Sequence, residues 1–166
     1  MKRAYSDEEM QDFYDRWDAV VFTFCRFYLG DENCAETTTL HVFRAYFDSG
    51  LSLNGERLPG ALFRHVLEAS GRAVVRSDGC SNRPAFEEIL LALPDAELAV
   101  FLLHGILGLD FPWISTVNGL NCEEEQRLWL NSLLHLQGQF WRGKGSSPIA
   151  FVPSIVAELQ ATAAQC

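Results

Sequence analysis

The chain has 166 residues, 48% of them hydrophobic, with 13 Lys/Arg against 22 Asp/Glu and a formal net charge of -9. That is enough apolar material for one ordinary domain or two small ones, and the negative balance opposes holding nucleic acid through the overall field. No apolar run approaches the roughly 18 residues that span a bilayer, and the first residues lack the apolar core of a signal peptide, so the expectation is a cytoplasmic protein with no membrane partner.

Ser6 followed by Asp7, Glu8 and Glu9 reads as an N-cap with acids in the first turn. From there Met10, Phe13, Tyr14, Trp17, Val20, Val21, Phe24 and Cys25 recur at helical spacing. Leu29-Gly30-Asp31 ends that helix and Asp31 is placed to cap the next, which carries Ala35, Leu40, Val42, Phe43, Tyr46 and Phe47 and stops at Ser49-Gly50. Residues 50 to 60 read as a loop. A third helix runs through Leu62, Phe63, Val66, Leu67, Val74 and Val75, interrupted or weakened at Gly71.

Ser77 to Pro84 is polar and turn-rich, a short linker. Phe86 to Leu93 starts a second helical unit. Leu93-Pro94 then opens a helix filled by Leu98, Val100, Phe101, Leu102, Leu103 and Ile106 and broken at Gly108. Asp110 is a good N-cap with Pro112 just inside the following short helix, which Asn118-Gly119 closes. Asn121 caps a long last helix, with Glu124 in the capping-box position. Helix, tight turn, short helix, tight turn, long helix is a helix-turn-helix pattern. Beyond a joint at 143 to 148, Pro153 to Gln165 has the pattern of a short amphipathic tail helix. The fold class is therefore all-α: a helical domain at 1–76, a linker at 77–84, a helix-turn-helix domain at 85–142, and a joint and tail at 143–166.

Five scattered cysteines, never in a C-x-x-C pair, suggest neither a disulfide framework nor a zinc site, and Cys25 is expected in a core. The four histidines sit one to a helix without metal-ligand spacing. No Ser/His/Asp or Cys/His arrangement can be assigned, no Gly-rich phosphate loop follows a strand, and Glu87 and Glu88 are adjacent rather than facing. The expectation is a non-enzyme with no metal and no cofactor. Charge is uneven: residues 1–76 carry nine Lys/Arg against twelve Asp/Glu, whereas residues 85–142 carry two against eight. The part that looks built to read DNA is the most acidic.

Two helical units with a short linker, the second ending in a helix-turn-helix, resemble the small bacterial sigma factors of the extracytoplasmic-function type. In the first unit the resemblance rests on Phe13, Tyr14, Gly30-Asp31, Ala35-Glu36, Val42-Phe43 and Leu62-Phe63-Arg64. In the second it rests on Leu93-Pro94, Val100, Leu102-Leu103, Gly108, Ile114, Gly119 and the leucine-rich final helix. These match core and turn positions of the family's regions two and four. The resemblance implies a polymerase-docking face on the second helix, promoter-strand contacts from Arg64, Arg72 and Arg76 on the third, and base or phosphate contacts from Gln126 and Arg127 at the start of the last.

The departures fall where the family does its work. After Ala35-Glu36 the family's polar, polymerase-facing residues are replaced by Thr37, Thr38, Thr39, Leu40 and His41, with Arg44 beyond them. The last helix opens with Glu123, Glu124 and Glu125, acids that suit the helix dipole by roughly 0.3 to 1 kcal/mol each but oppose the counterion release that drives most DNA affinity. Trp113 stands where the family often has a capping Glu, and Trp129 adds an aromatic anchor suited to a protein partner. The expected function is a sigma-factor-like transcription regulator that has lost autonomous promoter reading. It acts through RNA polymerase core or an anti-sigma protein, with Thr37, Leu40, His41, Arg44, Trp113 and Trp129 as contact residues. DNA is a partner that the acidic recognition helix disfavours. The alternative is a working alternative sigma factor that directs polymerase to promoters.

Overall fold

Asp7, Glu8 and Glu9 follow a serine whose side chain can close the helix start, and the first helix begins there. In the computed structural model, which describes residues 5–53, 60–73 and 85–143 (side chains 5–53, 60–70 and 87–139), α1 spans Asp7–Leu29. Ser6 Oγ accepts from the Glu9 N–H at 3.2 Å while Glu9 Oε2 accepts from the Ser6 N–H at 2.9 Å, a complete capping box. Gly30 ends α1 in the left-handed region at φ 68°, where a side chain would be strained. One residue later Asp31 Oδ1 accepts from the Cys34 N–H at 2.7 Å and starts α2, Glu32–Ser49. A third helix, α3, spans Gly60–Ala73. It continues past Gly71 to Ala73, so the glycine does not interrupt it there, and its cost of about 1 kcal/mol relative to alanine is a weakening.

The chain divides into two compact units, Met1–Arg76 and Ser77–Cys166. In the first, α1 and α2 pack along each other and both meet α3. Rings dominate that core. Phe13 stacks on Tyr46 at 5.0 Å and meets Phe43 edge-on at 6.2 Å, and Phe24 of α1 meets Phe63 of α3 edge-on at 5.3 Å. Each such pair contributes about 0.5 to 1.5 kcal/mol beyond its buried area. The Tyr46 hydroxyl donates to the Ser52 carbonyl at 2.9 Å, so the one polar atom in the cluster is satisfied.

In the second unit α4 spans Ala85–Leu91, α5 spans Asp95–Val100, and a π-helical segment, Phe101–Ile106, continues α5. Next come α6, Phe111–Asn118, and α7, Cys122–Gly143. Pro94 caps α5, so that helix starts two residues later than Leu93. The apolar run expected to be plain α-helix is wound wider instead: the Leu107 N–H reaches the Leu102 carbonyl and the Leu109 N–H reaches Leu103, both at 3.0 Å. Asp110 Oδ1 caps α6 by accepting from the Trp113 N–H at 2.8 Å. Asn121 and Glu124 form the reciprocal capping bonds of α7, at 2.9 and 3.0 Å. Leu98, Val100, Phe101, Leu102, Leu103, Ile114 and Leu136 form the core.

Among the described residues all regular structure is helical, and no helix is long and apolar enough to cross a membrane. The expected linker at 77–84, Val74, Val75, Arg76, and the joint and tail helix from residue 144 onward lie outside the described residues.

Candidate functional site

In the first unit α2 turns Ala35, Thr38, Thr39, Val42, Phe43 and Tyr46 inward. The complementary positions Thr37, Leu40, His41 and Arg44 follow at i, i+3, i+4 and i+7 and are all exposed. The structure thus gathers these four expected contact residues on one ridge, with Leu40 55% exposed at its middle. A hollow lies on either side. Toward α3, about 310 Å³ is lined by Thr37, His41, His65 and Glu68, among others, with His65 Nδ1 3.7 Å from Glu68 Oε2. Toward α1, about 370 Å³ is lined by Tyr14, Asp18, Glu32, Glu36 and Leu40. Burial, followed by the charges of Asp18, Asp15 and Glu36, pushes the Tyr14 phenol up from its ordinary value. A polar ridge with one exposed leucine at its middle, beside an acidic hollow, suits the side chains of a protein.

Arg64 is exposed on α3. Arg72 lies on the same helix with its side chain outside the described residues, and Arg76 lies wholly outside them. Of the three expected arginines, only Arg64 therefore has a described side chain. Cys25 is fully buried, and burial pushes its thiol up to about 12, which makes it core rather than nucleophile.

In the second unit Glu123, Gln126, Arg127, Leu130 and Leu134 form the outward stripe of α7. Leu130 and Leu134 are 58% and 64% exposed. Trp129 does not belong to that stripe. Its ring stacks on Phe101 at 5.5 Å, meets His104 edge-on at 4.9 Å, and presses on Gly105, where an added Cβ would lie 3.0 Å from the indole. Trp129 thus packs α7 on the π-helical segment, and the exposed apolar groups of this helix are its leucine neighbours. Trp113 is half-buried near the start of α6.

His104 stacks on Phe111 at 4.2 Å, and its Nδ1–H donates to the Leu109 carbonyl at 2.8 Å, which fixes the tautomer. The imidazole ties the π-helical segment to the turn before α6. Two acids are also buried. Glu97 of α5 accepts from Nδ1 of His135 on α7 at 2.5 Å. Glu125, one of the three acids expected to confront DNA, is fully buried; its Oε1 accepts from Asn118 Nδ2 at 3.0 Å. Burial is the main cause that raises the Glu125 carboxyl above its ordinary value, with the charge of Glu124 adding to it and the Asn118 bond opposing it. The signal for this burial was present in the sequence, because Glu125 falls in line with Trp129, Ser132 and Leu136 at i, i+4, i+7 and i+11. Among the described residues no three His, Cys, Asp or Glu side chains gather as metal ligands.

No protein-family model matches the chain, and no curated protein matches it in sequence.

Proposed function

We propose that this chain is a sigma-factor-like regulator of transcription that works through protein contacts, with RNA polymerase core or an anti-sigma protein, rather than by reading a promoter itself. The observation that carries this reading is the outward face of α7. In a helix-turn-helix of this order that face meets base edges and phosphates. Among the described side chains it presents Glu123, Gln126, the cation Arg127, and two exposed leucines. Exposed leucines gain nothing from phosphate, whereas an apolar face rimmed by polar residues suits another protein. The α2 ridge of Thr37, Leu40, His41 and Arg44 supports the same reading in the first unit.

Salt dependence of DNA binding tests it. Each phosphate neutralised contributes about -0.9 to the slope of log K against log salt, so the two arginines of α7, Arg127 and Arg142, support a slope no steeper than about -2 from that helix. Anisotropy titrations of promoter-length duplexes should show weak binding with a shallow slope, insensitive to Arg127→Ala beyond about one contact. The working sigma factor remains the second reading, favoured by the exposure of Arg64 and Arg127; sequence-selective binding with a slope of about -5 or steeper would establish it instead.

A further inference from the structure

The joint between α6 and α7 holds two unpaired polar atoms on side chains that are already bonded to each other. Asn118 is the last residue of α6, and Gly119 beyond it turns the chain at φ 75°. Glu125 lies in the first two turns of α7. Asn118 Nδ2 donates to Glu125 Oε1 at 3.0 Å, yet Asn118 Oδ1 and Glu125 Oε2 are both buried without a partner. A carboxylate offers only acceptors, and so does the amide oxygen. As an anion, Glu125 therefore leaves both atoms unsatisfied. A single proton on Oε2 supplies the missing donor for Oδ1 and closes an acid–amide ring of two hydrogen bonds.

We propose that Glu125 carries its proton in the folded protein and, through Asn118, forms a proton-dependent lock on the α6–α7 joint.

The surroundings favour the neutral acid. No ionisable side chain lies on α6. On α7 itself the neighbours are the acids Glu123 and Glu124 and the exposed Arg127. Among the other elements that pack on α7, the π-helical segment carries His104, whose Nδ1–H is held by Leu109. Glu97 of α5 is held by His135, and Asp95 and the α4 acids Glu87 and Glu88 add only negative charge. The Asn118 Nδ2–H bond and the helix dipole of α7 favour the anion, but burial of the carboxyl, the largest influence, outweighs them.

The sign of the pH dependence follows. A carboxyl raised in the folded state stabilises the fold fully below the ordinary carboxylate range, and that contribution is lost as pH rises through the raised value. Rising pH therefore loosens the joint that orients the start of α7.

Carbon-13 NMR titration of the carboxyl carbons in the full chain tests the lock, with Glu125 assigned by the resonance missing in Glu125→Gln. The expected result is a Glu125 Cδ that keeps the shift of a protonated acid above the ordinary carboxylate range. The glutamine variant, whose amide N–H can meet Oδ1, should match the wild type in thermal midpoint at acidic pH and exceed it increasingly as pH rises. A Glu125 Cδ that titrates within or below the ordinary range would overturn the proposal, as would a wild type that gains on the variant with rising pH. Sequential backbone-to-side-chain assignment of the wild-type chain identifies the Glu125 Cδ independently, so the titration decides the matter even if the variant does not fold.

Discussion

The two units solve the problem of a small helical core differently. In residues 1–76 the described core holds rings, aliphatic groups and neutral hydroxyls, those of Tyr46, Thr23, Thr38, Thr39 and Ser70, and no buried carboxyl. In residues 77–166 the described core admits two carboxyls, Glu97 and Glu125, and an imidazole, and winds one apolar run into a π-helix around Trp129. Rings and hydroxyls of this kind are insensitive to protons, whereas a carboxyl raised by burial, as Glu125 is, makes packing conditional on its proton. The first unit is built as a fixed platform for the α2 ridge. The second is built so that the orientation of α7 depends on polar pairs at its two flanks.

The sharpest way to break this contrast is in the platform. Phe43→Ala removes a fully buried ring that contacts Phe13 and Tyr14 and should cost about 3 to 5 kcal/mol in denaturant unfolding. That loss should be the same at acidic and neutral pH, because no titrating pair depends on the ring. Next in size is Gly105→Ala. Its Cβ would meet the Trp129 indole at 3.0 Å, and the ring is held between Phe101 and His104, so a loss of about 1 to 3 kcal/mol is expected. Trp129→Leu in the same chain should recover part of it, a non-additivity read in a double-mutant cycle. Asp110→Ala deletes the α6 cap and should cost about 1 kcal/mol by thermal denaturation. Smallest is Leu134→Ser on the outward stripe, which should shift stability by no more than about 0.5 kcal/mol while weakening capture of the protein partner.

Much of this arrangement was legible before any coordinates. Helix boundaries at Ser6, Gly30-Asp31, Ser49-Gly50, Asp110 and Asn118-Gly119 follow from capping chemistry, which is local and leaves its residue types in the sequence. Periodicity found most of the buried face of α2 but put Leu40, which is exposed, among its apolar positions, and the docking-face replacements Thr38 and Thr39 are buried. What escaped is not local. The π-helical winding of Phe101–Ile106 leaves no residue type of its own in the sequence, and the close approach of the Trp129 ring to Gly105 comes from another helix. The three glutamates of α7 look alike in sequence, yet two serve the helix terminus and the solvent while the third turns inward to Asn118. Trp129 showed the reverse ambiguity. Its size suits an interface as well as a core, and only the contacts with Phe101 and His104 distinguish the two.

The proposal that the chain meets proteins rather than promoters is tested most directly by gel filtration of the full chain with bacterial core RNA polymerase and an anti-sigma protein, each with and without a promoter-library DNA. The predicted result is co-elution with one of these proteins, weakened by Leu40→Glu on the α2 ridge, with no sequence enriched in the recovered DNA. Enrichment of a defined DNA motif would contradict it and make the chain a working sigma factor, and co-elution with neither protein would remove the sigma-factor reading altogether.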